Sequence, residues 1–236
     1  MLALSTVVWY NNYMSMLSPT LKKRAIGYPE SDGLPLADNT TQFRWITTIK
    51  GGLDAVFYED EGVFIAGNLL WYPVKGNNEI RVAPDIFAVF GRPKGERGSY
   101  QQWLEKNIAP QVVFEIVSPG NTAGQLTEKF DFYDRYGVEE YYLYDPEHNE
   151  LDGWLRKKKR LTKIPDMKGW ISPRLGILFE MPNGELRLFD PAGVEILTYG
   201  EVARQREDER RAKEQALQRA EKLAAQLKAL GVEPEA

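Results

Sequence analysis

Two apolar runs in the first half of the chain predict a pair of strands. Residues 63–72 and 81–90 are rich in β-branched and aromatic side chains, and a turn at residues 75–78 separates them. Ahead of them, residues 39–48 are interpreted as a helix that ends at the glycine pair 51–52. This part of the chain therefore predicts a helix followed by a hairpin or meander.

A strand, a helix and a second strand are predicted in the middle of the chain. Residues 112–117 form an apolar run, and residues 122–136 keep their apolar positions on one helical face up to Gly137, a suitable C-cap. Residues 138–144 read as another buried strand. Three such elements in under forty residues indicate a right-handed crossover between parallel strands.

The last part of the chain predicts short strands and then one long charged helix. Residues 154–164 suggest a hairpin interrupted by the basic segment 156–160, for which a solvated hairpin is favoured over a phosphate grip. Short strands over 184–197 end the globular part. Beyond residue 200 the apolar positions alternate in steps of four and three, as in a coiled coil: Ala216, Ala220, Leu223, Leu227 and Leu230. A dimerising helix and a helix packed on its own domain both stay open.

The length of 236 residues suits one globular domain with an appendage. We expect an N-terminal extension over residues 1–27, disordered or with a misassigned start for which Met14 or Met16 is the alternative, since its apolar beginning lacks a basic leader. A domain over 28–198 and a C-terminal helix over 199–236 follow.

The amino-acid composition limits which side chains can carry a reaction and which partners the protein can have. Cysteine is absent, which excludes disulfides and thiolate-bound zinc and favours a cytoplasmic location. The single histidine, His148, lies in an apparent turn and is interpreted as an exposed bystander. A net charge of −4 argues against coating nucleic acid through bulk charge, although a local basic patch stays open. No apolar stretch reaches the roughly twenty residues that span a bilayer, so no membrane partner is expected.

Two acids on strands suggest a metal site. Asp85 ends one apolar run and Glu115 lies inside another, where a carboxylate is costly unless a cation or hydrogen-bond donor meets it. A shared divalent ion is the most economical partner. Lys129, at the edge of the predicted helix, can project its ammonium over the strand ends, and these groups suffice for metal-assisted phosphodiester hydrolysis. The alternatives are a turn-capping Asp85 and a structural ion pair between Glu115 and Lys129, while Tyr133 is interpreted as core packing.

Several short motifs, in their order and spacing, carry a resemblance to a known family. They are Tyr28-Pro29-Glu30-Ser31-Asp32-Gly33, Gly67-Asn68-Leu69, Val82-Ala83-Pro84-Asp85, Glu115-Ile116-Val117-Ser118-Pro119, Lys129, Tyr133, and Tyr136-Gly137-Val138-Glu139-Glu140-Tyr141-Tyr142 with Asp145-Pro146. The chain closely resembles the Uma family of the PD-(D/E)xK nuclease superfamily over roughly residues 28–198.

The resemblance implies an α/β (α+β) fold with a restriction-endonuclease-like mixed central sheet flanked by helices, to which the long charged helix is added. It implies that Asp85, Glu115 and the Ile116 carbonyl hold Mg²⁺, with Mn²⁺ able to substitute, and that Lys129 orients the nucleophile. Glu30 and Gln125 are accessory candidates.

The chain departs from the family pattern at three positions. Val117 stands where the superfamily motif has lysine, Gln125 where relatives often have an acid, and Gln42 where they often have a histidine.

The residues and the resemblance together predict a magnesium-dependent endonuclease that acts on DNA, with a C-terminal helix through which a homodimer can form. The first alternative is a catalytically silent module of the same fold that binds nucleic acid or a protein partner. The second is an interaction protein in which the helical tail matters most.

Overall fold

The computed structural model describes residues 26–31, 33 and 35–230. The predicted extension over residues 1–27 and its alternative start sites therefore lie almost wholly outside the described residues. Within these described residues there are three α-helices: α1 (Thr40–Val56), α2 (Ala123–Tyr136) and α3 (Tyr199–Ala229). The strands are β1 (Val63–Gly67), β2 (Trp71–Tyr72), β3 (Ile86–Phe90), β4 (Tyr100–Gln101), β5 (Val112–Ile116), β6 (Glu140–Asp145), β7 (Glu150–Lys157), β8 (Arg160–Lys163), β9 (Trp170–Ile171), β10 (Leu178–Glu180) and β11 (Arg187–Phe189).

A mixed six-stranded sheet in the order β1-β3-β5-β6-β7-β8 forms the centre of the fold. β5 and β6 are parallel, and every other pair in this sheet is antiparallel. Helix α2 connects the two parallel strands, as the spacing of strand, helix and strand predicts. The predicted α/β fold, a mixed central sheet flanked by helices with a long C-terminal helix, is confirmed.

The two faces of the sheet carry separate hydrophobic cores. Alternate residues of a strand point to opposite faces, so Phe114 of β5 packs with α1 while its neighbour Val113 packs with α2. Trp45 and Leu53 anchor α1 to the first face, and Tyr133 anchors α2 to the second. Glu115, two positions after Val113, is thereby directed towards α2.

The predicted end of the first helix at Gly51-Gly52 is wrong, since α1 continues through both glycines to Val56. Gly52 packs against the end of the chain's globular part: a Cβ placed there would lie 2.2 Å from Cγ2 of Ile196. A glycine can interrupt a helix, yet here it permits the close approach of a distant segment.

The predicted strand over residues 63–72 is divided at Asn68. This residue adopts a left-handed conformation with φ of 47°, and its N–H donates to the carbonyls of Pro84 and Asp85, both at 3.1 Å. The chain then resumes in β2, where Trp71 pairs with Val82. The expected pairing of the two apolar runs is confirmed, because β1 pairs with β3. The break in the first run, at Asn68, lies beside Asp85.

A buried carboxylate connects the central sheet to the small sheet β11-β10-β9. Glu140, in β6, accepts hydrogen bonds from the Tyr142 hydroxyl at 2.9 Å, from the main-chain N–H of Arg174 at 2.7 Å and from the Ser172 hydroxyl. Burial raises the pKa of Glu140 despite these donors. The carboxylate therefore has a structural role outside the candidate site.

Helix α3 extends over 31 residues with none of them buried. Ion pairs within the helix, including Arg210 with Glu214 and Arg211 with Glu207, support it. None of the described helices is both long and apolar enough to cross a membrane.

Candidate active site

Asp85 lies immediately before β3 and points towards the end of β5. Its carboxylate is buried, with the residue 6% exposed, and Oδ2 accepts the main-chain N–H of Ile116 at 2.7 Å. Asn68 holds the preceding backbone through the carbonyls of Pro84 and Asp85. The aspartate is thus fixed against the strand that carries the second predicted acid.

Glu115 meets two side chains from consecutive turns of α2. Lys129 donates to Oε2 at 2.6 Å, and the Tyr133 hydroxyl donates to Oε1. The two donors stand four residues apart and so share one helical face. Burial raises the pKa of Tyr133 well above its usual value and the charge of Glu115 adds to this, so Tyr133 remains a neutral donor. Its predicted place in the core is confirmed, while its bond to Glu115 was missed.

Both ends of α2 are anchored, which positions Lys129. At the first turn Thr122 and Gln125 form a capping box, with each side chain bonded to the other's main-chain N–H. At the last turn Gly137 adopts a φ of 95°, which favours glycine, and Arg156 donates to the main-chain carbonyl of Asp134 at 2.8 Å.

Gln42, in the first turn of α1, contacts both Asp85 and Ile116. Its Nε2 donates to the carbonyl oxygen of Ile116 at 3.1 Å and lies 3.5 Å from Oδ2 of Asp85. Its Oε1 accepts the main-chain N–H of Asp38 at 2.8 Å. In the sequence Gln42 was notable only as a departure from the family pattern, and no local signal indicated that it contacts both predicted metal-binding segments.

The electrostatic environment of Asp85 is unfavourable for its charge. Burial raises the pKa of Asp85 to about 7, and the neighbouring charge of Glu115 acts in the same direction. Lys129 and the hydrogen bonds from Ile116 and Gln42 only partly oppose this increase. Close to neutral pH, a cation beside the two carboxylates would favour the ionised form of Asp85.

The donor set fits a hard divalent cation. The carboxylates of Asp85 and Glu115 and the carbonyl of Ile116 offer oxygen ligands, the type that Mg²⁺ and Mn²⁺ prefer. In the described part of the chain, no group of three or more His, Cys, Asp or Glu side chains could hold a metal. A cation held here would therefore keep several waters, as Mg²⁺ commonly does.

The two accessory candidates make other contacts in the structure. Glu30 lies against Gly98, where an added Cβ would meet its carboxylate, and no contact within the described ranges joins it to Asp85 or Glu115. Gln125 uses its side chain to cap α2. Accessory roles for both remain predictions.

Three other sequence features, namely the histidine, the basic segment and the residue in place of the motif lysine, make contacts that belong to the fold. His148 is exposed, with 67% of its side chain accessible, and pairs with Asp145. Within the basic segment, Arg156 binds the end of α2 and Arg160 pairs with Asp134 at 2.7 Å, so these two arginines serve the fold. The N–H of Val117 donates to the Tyr144 carbonyl at 2.8 Å and extends the pairing of β5 with β6.

No curated protein matches the sequence. Among solved structures, the crystal structure of a putative nuclease belonging to DUF820 from Anabaena variabilis ATCC 29413 matches with a TM-score of 0.44 and 16% identity, covering 63% of this chain and 75% of that chain.

A family model described as "Putative restriction endonuclease" (Uma2) matches residues 46–187, more than half of the chain, and includes Asp85, Glu115 and Lys129. The resemblance seen in the sequence motifs is confirmed. The chain belongs to the Uma2 family of putative restriction endonucleases.

Proposed function

We propose that this protein is a divalent-metal-dependent endonuclease that hydrolyses phosphodiester bonds in DNA. The observation that carries the proposal is the meeting of Asp85, Glu115, the Ile116 carbonyl and Lys129 at adjoining strand ends, in a chain of a restriction endonuclease family. Mg²⁺ is the proposed cofactor and Mn²⁺ its substitute.

Each group has a proposed role. Asp85, Glu115 and the Ile116 carbonyl would hold the cation, which when bound neutralises phosphate charge and makes water a better nucleophile. Lys129, already oriented by Glu115, would position the attacking water and offset negative charge at phosphorus. In the reaction, the water oxygen bonds to phosphorus, one ester P–O bond breaks, and the leaving oxygen takes up a proton.

A second candidate is a catalytically silent module that binds nucleic acid or a protein partner. Three hydrogen bonds favour it: both oxygens of Glu115 already accept one, and Gln42 donates to the Ile116 carbonyl. In that case Glu115 and Lys129 are a structural ion pair.

Plasmid cleavage separates the two candidates. With Mg²⁺ or Mn²⁺ we expect the purified protein to nick or linearise supercoiled DNA, and we expect EDTA to stop the reaction. Glu115→Gln should lower the rate at least about 100-fold, because it removes a charged ligand. Glu128→Gln, at an exposed acid on the same α2 helix, is the matched control and should retain activity.

Equal rates for Glu115→Gln and the parent protein would contradict the proposed site. Absence of cleavage on both DNA and RNA, by folded protein, would favour the silent module.

We further propose that the chain consists of a nuclease domain over 28–198 and a C-terminal segment over 199–236 whose helix α3 joins two copies. The apolar face of α3 supports this proposal, since Leu223 and Leu230 are 59% and 78% exposed and no residue of the helix is buried. Exposed leucines in steps of three and four suit a helical partner of the same kind.

Molar mass in solution tests the dimer. Light scattering should give twice the 27.0 kDa chain mass for the parent protein and the single-chain mass for Leu223→Glu, which places a charge in the apolar face. Gln218→Glu lies on the opposite side of the helix and should leave the dimer intact. A monomeric parent protein at micromolar concentration would exclude this interface.

A further inference from the structure

We propose that the Gln42 side-chain amide stands in for the cation in the metal-free protein, and that a divalent metal binds at Asp85 and Ile116 only by displacing it. This inference rests on the proposed function, because it concerns the same metal centre. Gln42 is then a positioning residue whose side chain determines how tightly the metal binds.

The amide donates to the oxygens that a cation would need. Nε2 of Gln42 lies 3.1 Å from the Ile116 carbonyl oxygen and 3.5 Å from Oδ2 of Asp85. These two oxygens belong to two of the three groups proposed as metal ligands. The positive end of the amide dipole thus supplies, weakly, the stabilisation that a divalent ion would supply strongly.

The orientation of the amide follows from its third contact. Oε1 of Gln42 accepts the main-chain N–H of Asp38 at 2.8 Å. Turning the amide over would place its NH₂ against that N–H, so that two donors would face each other. Gln42 therefore presents a donor, and not an oxygen ligand, to Asp85 and Ile116.

A metal and the amide compete for these oxygens. Mg²⁺ binds oxygen at about 2.0–2.1 Å, so an ion on the lone pair of the Ile116 carbonyl that Gln42 uses would lie in the space into which the Gln42 N–H points. A cation and the positive end of an N–H dipole repel each other at such a distance. The side chain must then move away, and Asp38 loses its acceptor.

The displacement can be confined to the side chain. The main-chain N–H of Gln42 donates to Oδ1 of Asn39, the N-cap of α1, at 2.8 Å. Asp38 is held independently, because its carboxylate accepts the Ser118 hydroxyl just after β5. The start of α1 thus keeps its anchors when the amide leaves.

Metal titration of three full-length proteins tests this inference. We would follow free Mn²⁺ by electron paramagnetic resonance with the parent protein, Gln42→Met and Gln42→Glu. Methionine keeps the approximate length and shape without a donor, so Mn²⁺ should bind about five- to tenfold more tightly. Glutamate offers a further oxygen ligand and should bind more tightly still, at least about tenfold beyond Gln42→Met.

The outcomes distinguish this inference from the proposed function. Equal or weaker binding by Gln42→Met would overturn the displacement and leave a metal centre in which Gln42 assists binding. Failure of Gln42→Glu to tighten binding would also overturn it, since the position would not face the metal. Failure of all three folded proteins to bind Mn²⁺ would overturn the metal centre itself. Damage to the fold would weaken binding, which is opposite to the expected change.

A second readout follows the displaced groups directly. In ¹⁵N-resolved spectra of the parent protein, added Mg²⁺ should shift the Gln42 side-chain NH₂ signals and the Asp38 main-chain amide, because both lose their hydrogen-bond partners. Binding of Mg²⁺ with neither signal changed would contradict the displacement.

Discussion

Replacing Asp85 by asparagine is expected to abolish metal-dependent cleavage and, without metal, to stabilise the fold at pH 7 and above. The carboxylate is a proposed metal ligand, and asparagine lacks its charge. In the metal-free protein, burial raises the pKa of this carboxylate from 3.8 to about 7, and the neighbouring charge of Glu115 adds to the increase. Loss of function and gain of stability would then arise from one substitution.

The sign of the stability change follows from proton linkage. Since the folded protein holds this proton more tightly than the unfolded chain, stability falls as pH rises from about 4 to about 7. At about 1.4 kcal/mol for each pKa unit, the loss reaches up to about 4 kcal/mol above pH 7. Asparagine has no proton to release, so its advantage should be absent near pH 4 and should grow towards pH 7.

Urea unfolding in EDTA at several pH values measures this difference. Asp131→Asn, at an exposed acid on α2, is the control and should show no comparable gain. A variant that is less stable than the parent protein at pH 8 would show that the Asp85 carboxylate contributes favourably to the metal-free fold, contrary to our expectation.

Replacing Lys129 by methionine is expected to reduce both activity and stability. Cleavage should fall at least about 100-fold, because the ammonium that would position water is removed. The substitution also leaves Glu115, whose side chain is only 3% exposed, without its cation, at a cost of about 3 kcal/mol.

A double-mutant cycle separates catalysis from structure at this pair. Glu115→Gln together with Lys129→Met should recover most of the lost stability, since Gln can still accept the Tyr133 hydroxyl and the buried charge of Glu115 is removed. The double variant should stay inactive. Full cleavage by Lys129→Met, with only its stability reduced, would assign Lys129 to the structural ion pair alone.

The sequence predicted the order of the elements well where the signal was local. The apolar runs gave β3, β5 and β6, and the strand-helix-strand spacing gave the parallel pair. The wrong end assigned to α1 has a tertiary cause, because Gly52 packs against Ile196 near the other end of the domain. No window around residue 52 contains that contact.

The same distinction applies to the site. Asp85 and Glu115 could be identified because acids in apolar runs are unusual. Lys129 could be identified because the family resemblance places a lysine on the helix that follows Glu115. Gln42 is separated from Asp85 by 43 residues and from Ile116 by 74, and its surroundings in the sequence are those of an ordinary first helical turn. Only the completed sheet brings these groups together.

The anchoring of α2 by Arg156 has a consequence for the growing polypeptide on the ribosome. By the time Glu115 has been synthesised, neither Lys129 nor the β7 residue that fixes the end of its helix yet exists. Contacts of long sequence separation form late in folding, and chains emerge from their N-terminal end. The candidate centre can therefore assemble only after most of the central sheet has been made.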